Sequence, residues 1–176
     1  PLPVRVRSQV VVNSSPAVAQ LESILQGHEP IGVLLADRQR ARLFVFELGR
    51  LVERPELLEE LPRDYDVRGQ SERGTPEGHV EELAQQHLRN AARVAFEVFQ
   101  ERPFEHLLIG ATEAVASDLE AALHPYLKER LAGRLHLPID AAEAAVREAV
   151  EEMEIELEKA RDAEVVERLR EAVGSG

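Results

Sequence analysis

Ile31-Gly32-Val33-Leu34-Leu35-Ala36, followed by Asp37-Arg38-Gln39-Arg40 and then Ala41-Arg42-Leu43-Phe44-Val45-Phe46, is the stretch that decides the fold. The first six residues are apolar or glycine without interruption. Such a run suits a strand covered on both faces, because neither face can be left to water. The next four are polar and turn-like, and the six after them are rich in β-branched and aromatic side chains. Two such runs around a short polar link predict an antiparallel hairpin. Gly49 ends the second strand, and Leu51 to Glu53 is short enough to complete a meander.

Upstream, Val4, Val6, Val10, Val11 and Val12 suggest an N-terminal strand. Ser14-Ser15-Pro16 follows as a helix start, with a hydroxyl cap and a proline whose missing N–H costs nothing in the first turn. Leu21, Ile24 and Leu25 repeat at helical spacing before Gly27. Downstream, residues 77–101 predict the strongest helix. Val80, Leu83, Ala84, His87, Leu88, Ala91, Val94, Ala95 and Val98 make one apolar stripe, and Pro103 stops it. Residues 104–110 read as a buried strand centred on Leu107-Leu108-Ile109, and residues 113–123 as a helix broken at His124-Pro125. Residues 135–139 are expected to form a short strand. Asp140 is expected to cap a last helix reaching about Ala172.

Strands alternate with helices after an initial hairpin, which predicts an α/β domain with a mixed sheet and flanking helices. Residues 1–139 are expected to form that domain, with a projecting loop at 62–76. Residues 140–176 are expected to be a long helix of the same domain. The beginning at Pro1 and the end at Val173-Gly174-Ser175-Gly176 read as cuts through a longer protein, with a further domain after Gly176.

Composition excludes several classes of function. The 176 residues contain no cysteine, so disulfides, thiolate metal sites and cysteine nucleophiles are ruled out. The formal charge is −12, from 21 basic and 33 acidic residues, which argues against bulk electrostatic grip on nucleic acid. No apolar run approaches the roughly 20 residues that span a bilayer, so no membrane partner is expected and a cytoplasmic location is. There is no Gly-x-x-x-x-Gly-Lys loop, no Gly-x-Gly-x-x-Gly fingerprint and no Gly-x-Ser-x-Gly elbow. The histidines at 28, 79, 87, 106, 124 and 136 fall in no compact zinc spacing. No metal and no cofactor is expected.

Three features could still carry function. Asp37, at the end of a strand, could hold magnesium if acids such as Glu113 and Asp118 converged on it; the plainer reading is that it caps its own turn. The last helix holds 12 acidic and 5 basic residues between 140 and 173, and its Val146, Val150, Met153, Leu157 and Ala160 recur in steps of four and three. That spacing suits either packing on the sheet or weak self-association. The third feature is Asp66-Val67-Arg68-Gly69-Gln70-Ser71-Glu72-Arg73-Gly74, inside a long polar segment of the kind that is usually functional or disordered. Glycine lets the backbone bend and approach closely, glutamine offers a donor and an acceptor, and two arginines supply phosphate contacts.

The ordered set of these pieces resembles a known family. It comprises residues 31–44, Arg68-Gly69-Gln70-Ser71 before the helix with His79 and His87, His106-Leu107-Leu108-Ile109-Gly110, Leu123-His124-Pro125-Tyr126-Leu127, and Ala141-Ala142-Glu143. Together they resemble the central domain of the archaeal and eukaryotic class-1 peptide-chain release factors, in the form found in bacterial relatives. The resemblance implies a release-factor central-domain fold with a ribonuclease-H-like motif. It also implies a ribosome-associated translation factor, of release or rescue type, with ribosome and peptidyl-tRNA as partners. By the same resemblance, Gln70 would position the water that attacks the peptidyl-tRNA ester, Gly69 would allow close approach, and Arg68, Ser71 and Arg73 would contact RNA. The family's loop carries Gly-Gly-Gln, and Arg68 stands here in place of the first glycine. This departure sets ester hydrolysis against an alternative, a catalytically inactive ribosome-binding or protein-interaction domain.

Overall fold

A computed structural model of the chain describes residues 29–54 and 76–174. Nine elements follow one another: β1 (Ile31–Ala36), β2 (Ala41–Glu47), β3 (Arg50–Arg54), α1 (Pro76–Glu101), β4 (His106–Gly110), α2 (Glu113–Ala122), α3 (Pro125–Lys128), β5 (Leu131–Leu135) and α4 (Glu143–Gly174). The sheet order is β3-β2-β1-β4-β5. β1 pairs antiparallel with β2, and β2 with β3; β4 is parallel to both β1 and β5. The chain meanders outward from β1 and returns over the sheet through α1 to place β4 on the other side. This is the α/β class with a mixed sheet and flanking helices, as expected.

The position of β1 in the middle of the sheet explains its composition. All six of its residues are buried. Ile31, Val33 and Leu35 face one layer with Phe44, Phe46, Leu108, Val146 and Val150. Leu34 and Ala36 face the other, with Leu43, Val45, Leu107, Ile109, Leu88, Ala91 and Ala95. The two-residue period of the strands thus feeds two cores, one beneath α1 and α2 and one beneath α4. Gly32 is required by close approach, since a Cβ there would lie 2.8 Å from two atoms of the fully buried Phe104 ring.

β2 and β3 are joined by Leu48 and Gly49, both with positive φ (49° and 73°), as a type I′ hairpin demands. α1 carries its stripe to the sheet, with Ala84, Leu88, Ala91, Ala92, Val94, Ala95, Val98 and Phe99 all buried. It closes where the N–H of Arg102 bonds to the Val98 carbonyl, one residue before Pro103.

Two expectations are corrected. The fifth strand is Leu131–Leu135, not 135–139. Pro138 has no N–H for a ladder, and its carbonyl instead accepts from Ala141 in a turn. Gly133, which weakens a strand reading of the sequence, leaves room for Met153 of α4; a Cβ there would sit 3.1 Å from the Met153 Cε. The last helix begins at Glu143, so Asp140 does not cap it. The Ala142 carbonyl takes the first bonds, from Ala145 and Val146. The stripe on α4 is half consumed by the sheet: Val146 and Val150 are fully buried, Met153 and Leu157 pack at the margin, and Ala160 is exposed. Arg161 reaches back to Glu29 ahead of β1, at 2.6 Å.

Candidate functional site

The loop holding Arg68, Gly69, Gln70, Ser71 and Arg73 lies outside the described residues, as do the expected N-terminal strand and helix and His28. What is described is its two anchors. Arg54 ends β3 before it, and Pro76 begins α1 after it. α1 is a 26-residue helix, about 39 Å long. From Ala84 to Phe99 the helix buries its apolar stripe in the core beneath it.

Asp37 sits at the end of β1 and is occupied by its own turn. Its Oδ1 accepts from the backbone N–H groups of Gln39 (2.8 Å) and Arg40 (2.6 Å). Its Oδ2 accepts from Nε and Nη2 of Arg40 at 3.1 and 2.9 Å. Burial alone would raise the Asp37 pKa, but the two backbone donors and the Arg40 guanidinium outweigh it and hold the carboxyl below its usual value. Glu113 is drawn the other way, to Arg134 at 2.5 Å, and Arg134 also holds Glu120 at 2.7 Å. Those two carboxylates push the Arg134 pKa up. Among the described residues, no three acids or histidines gather as a metal site would require. The carboxylate-and-magnesium reading of Asp37 has no support in this geometry.

The histidines have separate structural settings. His87 is 6% exposed on α1, and its Nε2 has no hydrogen-bond partner. His106 meets Glu29 at 3.1 Å, which joins it through Glu29 to Arg161 of α4. His124 stacks on Phe96 with centroids 3.8 Å apart and planes 16° from parallel, and its Nδ1 accepts from the Tyr126 N–H at 3.3 Å.

Two groupings were not legible from spacing. Arg42 of β2 clamps the segment between β5 and α4. It binds Glu53 through Nε and Nη2 (2.6 and 3.2 Å) and donates through Nη1 to the carbonyls of Ile139 and Ala141 (3.1 and 2.7 Å). Its guanidinium also lies 4.8 Å from the Phe44 centroid. The Glu53 bonds raise its pKa against burial, with Glu143 and Asp140 adding to the rise. The second grouping is aromatic. Phe96 of α1, His124 and Tyr126 form a cluster at the surface, beside a buried Phe99–Phe104 edge contact. The sequence signal was His124-Pro125-Tyr126, which reads on its own only as a helix break.

No helix among the described residues is long and apolar enough to cross a membrane. No curated protein matches the chain. Among solved structures, an archaeal translation termination factor, aRF1, is similar at 18% identity and a TM-score of 0.49, with 84% of this chain covering 42% of that one. A second structure, described as an archaeal protein, is similar at 16% identity and a TM-score of 0.47, with coverages of 89% and 44%. The chain spans less than half the length of either. The family model described as bacterial archaeo-eukaryotic release factor family 10 matches residues 16–155, which include the Arg68–Arg73 loop, all five strands and the helices as far as the sheet-packed half of α4. The chain belongs to bacterial archaeo-eukaryotic release factor family 10.

Proposed function

We propose that this chain is a ribosome-associated translation module of release or rescue type, acting in the cytoplasm, and that its 62–76 loop carries Gln70 to peptidyl-tRNA. The observation that supports this most is the family match, because its span, residues 16–155, takes in both the 62–76 segment and α1. On this reading α1 is the rod behind the loop. Gln70 presents an amide donor and acceptor to the attacking water and to the leaving 3′ oxygen. Gly69 keeps the backbone thin beside it. Arg68 and Arg73 neutralise RNA phosphates, and Ser71 adds a neutral hydrogen bond to the same RNA.

Arg68 supports a second reading, binding without hydrolysis. If the family's loop needs positive φ at that position, an arginine there costs about 1–2 kcal/mol, and its side chain occupies space a glycine leaves open. One experiment separates the two. Purified stalled ribosomes carrying labelled peptidyl-tRNA are mixed with the chain or with its Gln70→Ala variant, and released peptide and co-sedimenting protein are both measured. Hydrolysis through Gln70 predicts release that falls roughly 100-fold or more in the variant, with binding retained. Binding without release favours the second reading. Neither release nor co-sedimentation refutes both.

A further inference from the structure

α4 carries a second apolar face, turned away from the sheet. Val146 and Val150 are buried beneath the helix, and Met153 and Leu157 pack at the margin of that core. Ile155 stands nine residues after Val146, about two and a half turns, and so on the opposite side of α4. It is 51% exposed. Val166 follows eleven residues later, about three turns, which returns it to the face of Ile155; it is 46% exposed. Lys159 and Asp162 lie between them on the same face, so the four residues recur in steps of four, three and four. Val165, 42% exposed, widens the stripe at its outer end. From Glu158 to Glu171 every described side chain of α4 is exposed. A helical segment of this length is marginal in water unless one face packs on something.

A four-three-four repeat is the seam of a two-helix coiled coil, and the residues in the seam choose the partner. In a parallel pair each residue faces its own copy. Lys159 then meets lysine and Asp162 meets aspartate, and both layers repel. An antiparallel pair whose two-fold axis crosses α4 between Ala160 and Arg161 removes both conflicts. Ile155 faces the second copy's Val166, and Lys159 faces the second copy's Asp162. Symmetry repeats each pairing, so the layers run apolar, ionic, ionic, apolar. Sliding the pair by a heptad in one direction sets Glu152 against Asp162. Sliding it in the other sets Asp162 against Val166. One direction and one register therefore satisfy all four positions. We propose that the outward face of α4 pairs antiparallel with the same face of a second copy of this chain. The stripe expected to self-associate, Val146 to Leu157, is spent on the sheet; the pairing face is the opposite one. An unrelated partner would need matching apolar and ionic positions in this order, whereas a second copy supplies them by symmetry. The ionic layers fix direction and register at a cost in affinity, so the pairing is weak and depends on concentration. The proposal does not rest on the ribosomal reading above.

Sedimentation equilibrium of the whole chain tests it. The average mass is expected to rise from monomer toward dimer between roughly 1 and 500 µM. Val166→Glu puts a carboxylate against Ile155 in two layers and should weaken association roughly a hundredfold. Lys159→Asp and Asp162→Lys should each weaken it about tenfold or more when alone. Mixed together they should pair again, because each supplies the charge the other lacks. The chain has no cysteine, so Ile155→Cys and Val166→Cys report direction. On oxidation, a mixture of the two should form the mixed disulfide in preference to either homodimer. All four positions are exposed, and circular dichroism melts check that the variants fold. A chain that stays monomeric over the whole range overturns the proposal. So does a dimer indifferent to Val166→Glu, or a mixture of the two charge variants that fails to pair. Preferential cross-linking of Ile155→Cys to itself overturns the antiparallel register.

Discussion

Replacing Arg42 with methionine keeps the aliphatic stem and removes every polar contact of the guanidinium. In the structure that means two bonds to the main-chain carbonyls of Ile139 and Ala141, a two-point contact with Glu53, and the approach to the Phe44 ring. Each carbonyl bond contributes roughly 1 kcal/mol net. The Glu53 pair, whose side chains are 20% and 21% exposed, contributes about another 1 kcal/mol, above the usual surface value because of its forked geometry. The ring contact adds about 0.5 kcal/mol. Together these predict a loss of about 3 to 3.5 kcal/mol, or a fall in Tm of roughly 6–14 °C for a chain of this size. Arg42→Lys retains the charge but cannot reach three acceptors at once, and should lose about half as much. The assay is urea and thermal unfolding followed by far-ultraviolet circular dichroism. A double-mutant cycle with Glu53→Gln should give a coupling of about 1 kcal/mol. If Arg42→Met lowers Tm by less than about 2 °C, the clamp is a surface contact and the reasoning fails.

Three further outcomes follow from single positions. Asp37→Asn should cost about 1 kcal/mol near neutral pH, because Arg40 loses a carboxylate. The sign follows from the depressed folded pKa of Asp37: its extra stability exists above the unfolded value and vanishes as pH falls through the folded one, so wild type and variant should converge in urea titrations carried to acid pH, below the ordinary aspartate range. Leu48→Asn should raise stability by about 1 kcal/mol, since asparagine tolerates the positive φ of the type I′ turn; an unchanged or lower denaturation midpoint counts against a strained Leu48. Gly32→Ala should cost about 2 kcal/mol or more, against a smaller loss for Gly110→Ala. The new Cβ meets the rigid Phe104 ring at position 32, but at position 110 it meets the end of the flexible Leu35 side chain, so the reverse order in thermal melts would refute this account.

Much of the layered fold was readable because its signals are local. The apolar run at 31–36 suits a strand covered on both faces, and it is the central one. The stripe on α1 and its stop at Pro103 were set within a few residues of each other, as was the hairpin around Asp37. The family resemblance was likewise carried by an ordered set of short segments, and the family match is consistent with it. The candidate loop at 68–73 was legible only as residue types, since no local rule states where a polar loop points.

What the sequence by itself determined, then, is the kind of each long element and the face each would bury, because period and chain breakers act over one or two turns. Tertiary structure alone decided the rest. It placed the edge strand at Leu131–Leu135, where a glycine that weakens a strand in isolation makes room for Met153. It also assembled Arg42 with carbonyls nearly a hundred residues away, and Tyr126 with a helix that ends some 25 residues earlier. The physical reason is the same in each case. The energy of these groups depends on partners brought close only when the two cores beneath α1 and α4 close on the sheet.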